Sequence, residues 1–179
     1  MCVICIKPAG KSLPSKIDLE MMYRANPHGC GFATPKRFFK TLDFEEFMTE
    51  LEKVKKNEPC IIHFRYATHG SIKVANCHPF RDRDTDTYFM HNGILNIRPV
   101  GDMTDSETAF RRYLAPCIKK YGMDSLETMV EVRRLLGCSK FAFLHKGKIY
   151  KFGNFEKYFG CWFSNMRWFQ PMMMASGWF

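Results

Sequence analysis

The chain begins Met1-Cys2-Val3-Ile4-Cys5-Ile6, and this stretch predicts a short apolar strand that starts at the terminus itself. A small second residue such as cysteine usually lets the initiator methionine be trimmed. Cys2 then carries a thiol and a free α-amine, whose pKa of roughly 7.7–8.0 suits a general base. Because an N-terminal amine can activate a nucleophile on its own residue, Cys2 is a candidate nucleophile. The alternative is an ordinary buried cysteine in an edge strand.

The composition is that of a globular chain inside a cell. The 179 residues suffice for one domain with a hydrophobic core, and 46% of them are hydrophobic. No apolar run approaches the length of about 18 residues that indicates a membrane span, and Lys7 and Pro8 interrupt the run at the N-terminus. We therefore expect a cytoplasmic protein that does not associate with membranes. Most of its eight cysteines should be small core residues rather than disulfide partners.

The charge and the metal-ligating residue types are less informative. The net charge of +9 comes from lysines and arginines without a dense run, so it fits a solvated basic surface or an anionic partner such as nucleic acid or a phosphorylated metabolite. Cys2 and Cys5 have C-x-x-C spacing, but two such residues of a strand point to opposite faces. The separations of the histidines and Cys77 fit no standard zinc-ligand spacing, so we expect neither a metal nor a cofactor.

The predicted elements alternate between groups of strands and groups of helices. Strands are predicted at 2–7, 29–33, 37–40, 60–66, 87–90, 140–145, 148–152 and 158–163. Helices are predicted at 18–26, after an Asp43 cap, from a capping box at Thr104 to about Tyr113, and at 125–136. A polar loop is predicted from 68 to 86, and loops of that length are usually functional. Strands, then helices, then strands again in one unit predict α+β layers.

Four segments carry residues suited to chemistry. They are Cys2, His63-Phe64-Arg65-Tyr66-Ala67-Thr68-His69-Gly70, His91-Asn92-Gly93-Ile94-Leu95, and Thr104-Asp105-Ser106-Glu107. In this order the set resembles the class II glutamine amidotransferase domain of the N-terminal nucleophile hydrolases. Two further segments, Asn76-Cys77-His78-Pro79-Phe80 and Cys161-Trp162-Phe163-Ser164-Asn165, also look like that family. The resemblance covers residue 2 to about residue 165, nearly the whole chain.

The resemblance implies a fold and an activity. The fold is α+β, a four-layer αββα sandwich, with residues 1–179 as a single glutaminase domain and 166–179 as its apolar C-terminal tail. The Cys2 thiolate would attack the side-chain amide of glutamine, releasing ammonia and leaving a glutamyl thioester that water hydrolyses to glutamate. The Asn92 side chain and the Gly93 backbone N–H would stabilise the tetrahedral oxyanion.

The same resemblance assigns the substrate-binding residues. Arg65 would bind the α-carboxylate of glutamine, since its planar fork suits a bidentate contact. Asp105 would receive the α-ammonium group, and Thr68 and His69 would line the pocket. Arg24 matches the family's arginine near the active site only loosely, and is a candidate helper.

The resemblance does not identify the acceptor of the ammonia. Well-known members of the family fuse this domain to a synthase domain, for which we find no segment, so we expect a stand-alone glutaminase that serves a synthase partner. The Met-rich tail, residues 169–179, is a candidate docking segment, and a nucleotide or nucleic acid acceptor would suit the charge.

Two alternatives remain open. One is an amidohydrolase of the same fold that acts on another γ-glutamyl or amide substrate. The other is a catalytically idle binding or regulatory module. The presence of both Arg65 and Asp105 favours free glutamine, and the presence of Cys2, Asn92 and Gly93 together favours an active enzyme.

Overall fold

A computed structural model describes residues 2–67 and 70–169 of the chain. Two antiparallel sheets pack face to face, and helices cover the outer face of each sheet. The fold is therefore an α+β sandwich with four layers in the order αββα, which confirms the predicted fold class. None of the helices in the described ranges is long and apolar enough to cross a membrane.

The strands follow the predicted positions closely. They are β1 (Val3–Lys7), β2 (Cys30–Ala33), β3 (Phe38–Thr41), β4 (Cys60–Phe64), β5 (Phe80–Asp82), β6 (Thr87–Asn92), β7 (Lys140–His145), β8 (Lys148–Phe152), β9 (Glu156–Tyr158) and β10 (Cys161–Phe163). The first sheet has the order β3-β2-β4-β1-β10-β9, and the second has the order β5-β6-β7-β8. The N-terminal strand β1 is thus central in its sheet, with β4 and β10 as antiparallel neighbours, and the edge-strand interpretation of Cys2 is wrong.

The helices fall into two groups by layer. They are α1 (Lys16–Ala25), α2 (Phe44–Leu51), α3 (Asp105–Ala109), α4 (Ala115–Tyr121) and α5 (Leu126–Leu136). Side chains of α1 and α2 pack on the first sheet, and those of α3, α4 and α5 pack on the second. A π-helical turn, Phe110–Leu114, joins α3 to α4, so the helix expected to end near Tyr113 continues to Tyr121.

Side-chain caps explain where the helices begin. Ser15 caps α1 through a reciprocal capping box with Asp18, so this helix begins at Lys16, two residues before the predicted start. Asp43 caps α2 by accepting a hydrogen bond from the Glu46 N–H, as predicted. Ser125 caps α5.

Strand β1 is apolar on both faces because it separates two cores. Val3 and Cys5 face the core beneath α1 and α2. Ile4 and Ile6 face the second sheet, where they meet apolar side chains of β6 and β7 such as Met90. All are less than 3% exposed, so the strand that follows the candidate nucleophile is held rigidly.

Two predicted segments have a different structure. The loop predicted from 68 to 86 contains β5, whose Arg81 guanidinium lies 5.5 Å from the Phe38 ring and 5.2 Å from the Tyr88 ring. The strand predicted at 158–163 is instead a hairpin, because a turn at Phe159 and Gly160 separates β9 from β10. Both residues of this turn have positive φ, 43° and 81°.

Candidate active site

A cleft opens where the predicted motif segments meet at one end of the sandwich. It encloses about 470 Å³, including its open mouth, and is lined by Cys2, Arg65, Gly93 and Asp105 among others. The sandwich thus brings together four of the predicted site residues. Asn92 is buried beside Gly93 at the end of β6. Thr68 and His69, the other two predicted pocket residues, lie outside the described residues.

Cys2 lies immediately before β1, and the chain segment after β4 holds its sulfur. The Tyr66 N–H donates a hydrogen bond to Cys2 Sγ over 3.3 Å. Burial raises the pKa of the Cys2 thiol above its usual value, while this hydrogen bond and the positive charge of Arg65 oppose the rise. The resting thiol therefore keeps its proton at neutral pH, and a base has to remove it before attack. Met1 lies outside the described residues.

The backbone after β6 requires a glycine at position 93. Gly93 has a φ of 146°, and a Cβ atom there would lie 2.3 Å from Ser139 Oγ. Any other side chain would therefore displace β6 from the segment that precedes β7. The preceding Asn92 is 1% exposed, and its amide lies against Ser164, with Nδ2 and Oγ 2.8 Å apart.

Arg65 and Asp105 place opposite charges on the walls of the cleft. Arg65 is only 5% exposed, and its NH1 donates a hydrogen bond to the Ser71 carbonyl over 3.1 Å. Asn76 Nδ2 donates to the same carbonyl over 2.9 Å. Asp105, the first residue of α3, accepts hydrogen bonds from the Leu95 N–H and from Ser106. These contacts fix both charged groups before any ligand arrives.

Three buried histidines form a cluster behind the cleft. The rings of His63 and His78 are 4.2 Å apart, and His63 Nε2 lies 3.1 Å from the His91 carbonyl oxygen. His91 Nδ1 pairs with Ser106 Oγ at 2.7 Å. Burial lowers the pKa of His63 to about 3 and of His91 to about 4, and that of His78 falls well below its usual value for the same reason. All three side chains are therefore neutral at pH 7.

The histidine cluster is not arranged as a metal site. Across residues 2–67 and 70–169, no group of three or more His, Cys, Asp or Glu side chains has the geometry to hold a metal ion. Two of the cluster residues, His78 and His91, line the cleft. The sequence grouped these three histidines, with His69 and Cys77, only as zinc-ligand candidates of non-standard spacing, and it did not predict that they pack together.

Other residues around Cys2 had no assigned role in the sequence analysis. Asn165 Nδ2 donates a hydrogen bond to the Cys2 carbonyl over 2.9 Å. The Ala67 N–H donates to His28 Nδ1 over 2.9 Å, which holds the segment that contacts Cys2. The only signal for Asn165 was its place in the segment 161–165, and nothing in the sequence singled out His28. Arg24, the candidate helper, is exposed on α1 beside Glu20 and does not line the cleft.

Comparison with known proteins defines the family. The sequence profile described as glutamine amidotransferases class-II matches residues 44–152, more than half of the chain. The chain therefore belongs to the class II glutamine amidotransferase family, as the motifs predicted. A curated relative, the isomerizing glutamine–fructose-6-phosphate aminotransferase of Lactiplantibacillus plantarum, is 30% identical over 92 residues. This match covers 46% of the chain and 15% of the relative.

Solved structures share the fold at lower identity. The glutamine phosphoribosylpyrophosphate amidotransferase from B. subtilis, in complex with ADP and GMP, has a TM-score of 0.58 at 18% identity, over 91% of this chain and 41% of that one. A structure of the allosteric regulatory enzyme of purine biosynthesis has a TM-score of 0.57 at 18% identity, over 93% of this chain and 42% of that one. The chain thus spans less than half the length of these proteins.

Proposed function

We propose that this chain is a glutaminase that hydrolyses the side-chain amide of glutamine with Cys2 as its nucleophile. The observation that carries the proposal is the single cleft in which the Cys2 thiol, the Arg65 guanidinium and the Asp105 carboxylate meet. A free amino acid is a zwitterion, and two fixed opposite charges beside a nucleophile suit its α-carboxylate and α-ammonium groups. Membership of the amidotransferase family supports the same substrate.

The reaction takes place in two halves. First, Cys2 Sγ forms a bond to the side-chain carbon of glutamine while the α-amine of Cys2 takes the thiol proton. The tetrahedral intermediate collapses when the C–N bond breaks, and the departing nitrogen receives that proton and leaves as ammonia. Water, deprotonated by the same amine, then attacks the glutamyl thioester, and the C–S bond breaks to free glutamate and the thiol.

The oxyanion of each tetrahedral intermediate needs fixed donors. We assign them to the Asn92 side-chain amide and the Gly93 N–H. The position of Gly93 in the lining of the cleft supports a role for its N–H. The buried position of Asn92 supports a role for its amide, because a donor shielded from water stabilises developing charge more strongly.

We predict that the active protein begins at Cys2, since the mechanism uses the α-amine of that residue. Purified active protein should show the loss of one methionine by intact-mass analysis, together with equal release of glutamate and ammonia from glutamine. A matched preparation that retains Met1 should be inactive until an aminopeptidase removes the methionine. Full activity with Met1 in place would contradict this mechanism.

We predict that the binding residues and the oxyanion donor have different kinetic signatures. Arg65→Ala or Asp105→Asn should raise KM more than it lowers kcat, because these groups hold the same part of glutamine in the ground and transition states. Asn92→Ala should lower kcat by about 10²–10³-fold, the usual cost of an oxyanion donor. The exposed Asn57 provides a matched control, Asn57→Ala, which should change neither constant. An unchanged kcat in Asn92→Ala would overturn the oxyanion assignment.

We also propose that a separate synthase uses the ammonia. The relatives are an aminotransferase and an amidotransferase, and this chain matches only a part of each. This supports an acceptor site outside the part that the chain matches. The candidate docking segment, residues 169–179, lies outside the described residues from position 170 onward. An anionic acceptor such as a nucleotide or nucleic acid would suit the net charge of +9.

The isolated chain should then be a slow glutaminase that the partner accelerates. The measurement is kcat/KM for glutamine with and without a co-purifying partner, repeated after deletion of residues 170–179. We expect acceleration by the partner and its loss in the deletion variant. High activity that neither the partner nor the deletion changes would favour the alternative of a self-sufficient amidohydrolase.

A further inference from the structure

Ser164, the residue after β10, is fixed by two hydrogen bonds to Ile4 of β1. Its N–H donates to the Ile4 carbonyl over 2.9 Å, and its Oγ accepts a hydrogen bond from the Ile4 N–H over 2.8 Å. The side chain is 3% exposed. The Ser164 hydroxyl is therefore held in one place beside β1, the strand that follows the candidate nucleophile.

The contact between Ser164 and Asn92 leaves hydrogen-bonding groups unused in the recorded orientation of the amide. Asn92 Nδ2 lies 2.8 Å from Ser164 Oγ, so the hydroxyl oxygen accepts from this group as well as from Ile4. Asn92 Oδ1 is then buried without a hydrogen-bond partner. Within residues 2–67 and 70–169, the hydroxyl proton of Ser164 also has no acceptor.

Exchanging the two amide atoms of Asn92 satisfies both groups. The oxygen and nitrogen of an amide have nearly the same shape, so their assignment follows from the hydrogen bonds they make. The Ile4 N–H can only donate, which leaves the Ser164 proton free for Asn92. With Oδ1 facing Ser164, the hydroxyl donates to it over the same 2.8 Å. Nδ2 then occupies the site without a partner.

We propose that Ser164 is a positioning residue that orients the Asn92 amide, so that Nδ2 is available to the oxyanion. This inference rests on the proposed glutaminase function. A donor held in place but unpaired in the resting state is what an oxyanion hole requires, because it needs no rearrangement when charge develops. Without the Ser164 proton, nothing among the described contacts distinguishes the two orientations of the amide.

The next residue adds a second contact to the same machinery. Asn165 Nδ2 donates to the Cys2 carbonyl over 2.9 Å. Two consecutive side chains after β10 therefore contact two residues of the proposed mechanism. Asn165 contacts the nucleophile Cys2, and Ser164 contacts the oxyanion donor Asn92. Since Ser164 and Asn92 are 72 positions apart in sequence, this pairing exists only in the folded chain.

The first test removes the hydroxyl and measures glutamine hydrolysis. Ser164→Ala should lower kcat by about 10-fold or more, toward the 10²–10³-fold loss of an absent oxyanion donor, with little change in KM. Ser164→Thr keeps the proton and should restore most of kcat. Ser12→Ala, which removes an exposed serine that does not line the cleft, should leave kcat unchanged.

Two further measurements separate orientation from general damage. In an Asn92→Ala background, Ser164→Ala should not lower kcat any further, because both changes remove the same oxyanion donor. Alkylation of Cys2 by iodoacetamide, which forms no oxyanion, should proceed in Ser164→Ala at the wild-type rate. A multiplicative loss of kcat in the double variant, or slow alkylation, would show that Ser164 acts through something other than Asn92.

The orientation of the amide can also be observed without activity. Neutron diffraction of hydrogen–deuterium-exchanged crystals distinguishes Nδ2 from Oδ1 and locates the Ser164 hydroxyl deuterium. Oδ1 facing Ser164 supports the proposal even if the protein hydrolyses no glutamine, a result that would reject the proposed function alone. Nδ2 facing Ser164 would overturn the inference whatever the activity.

Discussion

Cys2→Ala should abolish glutamine hydrolysis, with kcat falling on the order of 10⁶-fold, to the limit of detection. Removal of a nucleophile that acts together with its base causes a loss of this size, because neither the nucleophile nor the base is effective without the other. The substitution should leave the fold intact, since Cys2 precedes β1 and its side chain is only half-buried. Release of glutamate and ammonia, together with circular dichroism, measures the two effects separately.

A glutamine analogue that carries an electrophile on its side chain should label Cys2 ahead of the other cysteines. Cys2 lines the cleft in which Arg65 and Asp105 would bind the analogue, whereas Cys30 and Cys77 are fully buried and out of reach of a reagent. The exposed Cys138 supplies the matched control, because Cys138→Ala should keep full activity and full labelling of Cys2. Preferential labelling of Cys30 or Cys77 would reassign the nucleophile.

Local sequence signals predicted most of the elements because each signal has a local physical cause. The apolar run of β1 and the capping residues Asp43 and Ser125 act within a few residues, and the structure has all of them. Gly137 ends α5 at a φ of 50°, where a glycine carries little strain. Element type and position could therefore be predicted without tertiary information.

The elements that were missed depend on contacts made elsewhere in the fold. Strand β5 contains Arg81 and Asp82, which read as loop residues, and its Arg81 stacks on rings from β3 and β6. The continuation of α3 through a π-helical turn into α4 puts Phe110 and Leu114 into the core of the second sheet. Such tertiary packing overrides the local preferences on which the predictions relied.

The candidate site also has a part that short motifs predicted and a part that depends on tertiary contacts. Arg65, Gly93 and Asp105 were predicted from short motifs, and the fold brings them to one cleft with Cys2. Their proposed roles depend on the family resemblance and await the kinetic tests. The contacts of Ser164 with Asn92 and of Asn165 with Cys2 were not predicted, because their partners are 72 and 163 positions away in sequence. The packing of the three histidines, which the sequence offered only as zinc-ligand candidates, was not predicted for the same reason.

The stability of the protein should fall steeply as the pH decreases from 6.5 to 5. Burial lowers the pKa of His63 to about 3 and of His91 to about 4, whereas an unfolded histidine titrates near 6.5. Between these values the unfolded chain binds protons that the native chain does not, so protonation favours unfolding. The positive charge of Arg65 lowers the pKa of His63 further, whereas the Asp105 carboxylate opposes the lowering of the pKa of His91.

The expected loss is large relative to the stability of a typical domain. Each such histidine removes at most about 1.4 kcal/mol per pH unit, and about half of that near pH 6.5, where the unfolded histidine is half protonated. His63 and His91 together therefore remove on the order of 3 kcal/mol between pH 6.5 and pH 5. His78, whose pKa burial also lowers, adds to this loss. Typical domains are stable by only about 5–15 kcal/mol, so acid unfolding should begin before most carboxylates are protonated.

Urea unfolding at half-unit steps of pH measures this dependence, and His63→Gln should reduce its slope by up to about 1.4 kcal/mol per pH unit. Glu131→Gln is the control, because the Arg134 contact lowers the pKa of Glu131 below its usual value and its contribution is lost only at lower pH. If His63→Gln does not fold, NMR titration of the wild-type imidazoles gives the same answer. A His63 ring that becomes protonated above pH 6 in the native protein would contradict the prediction.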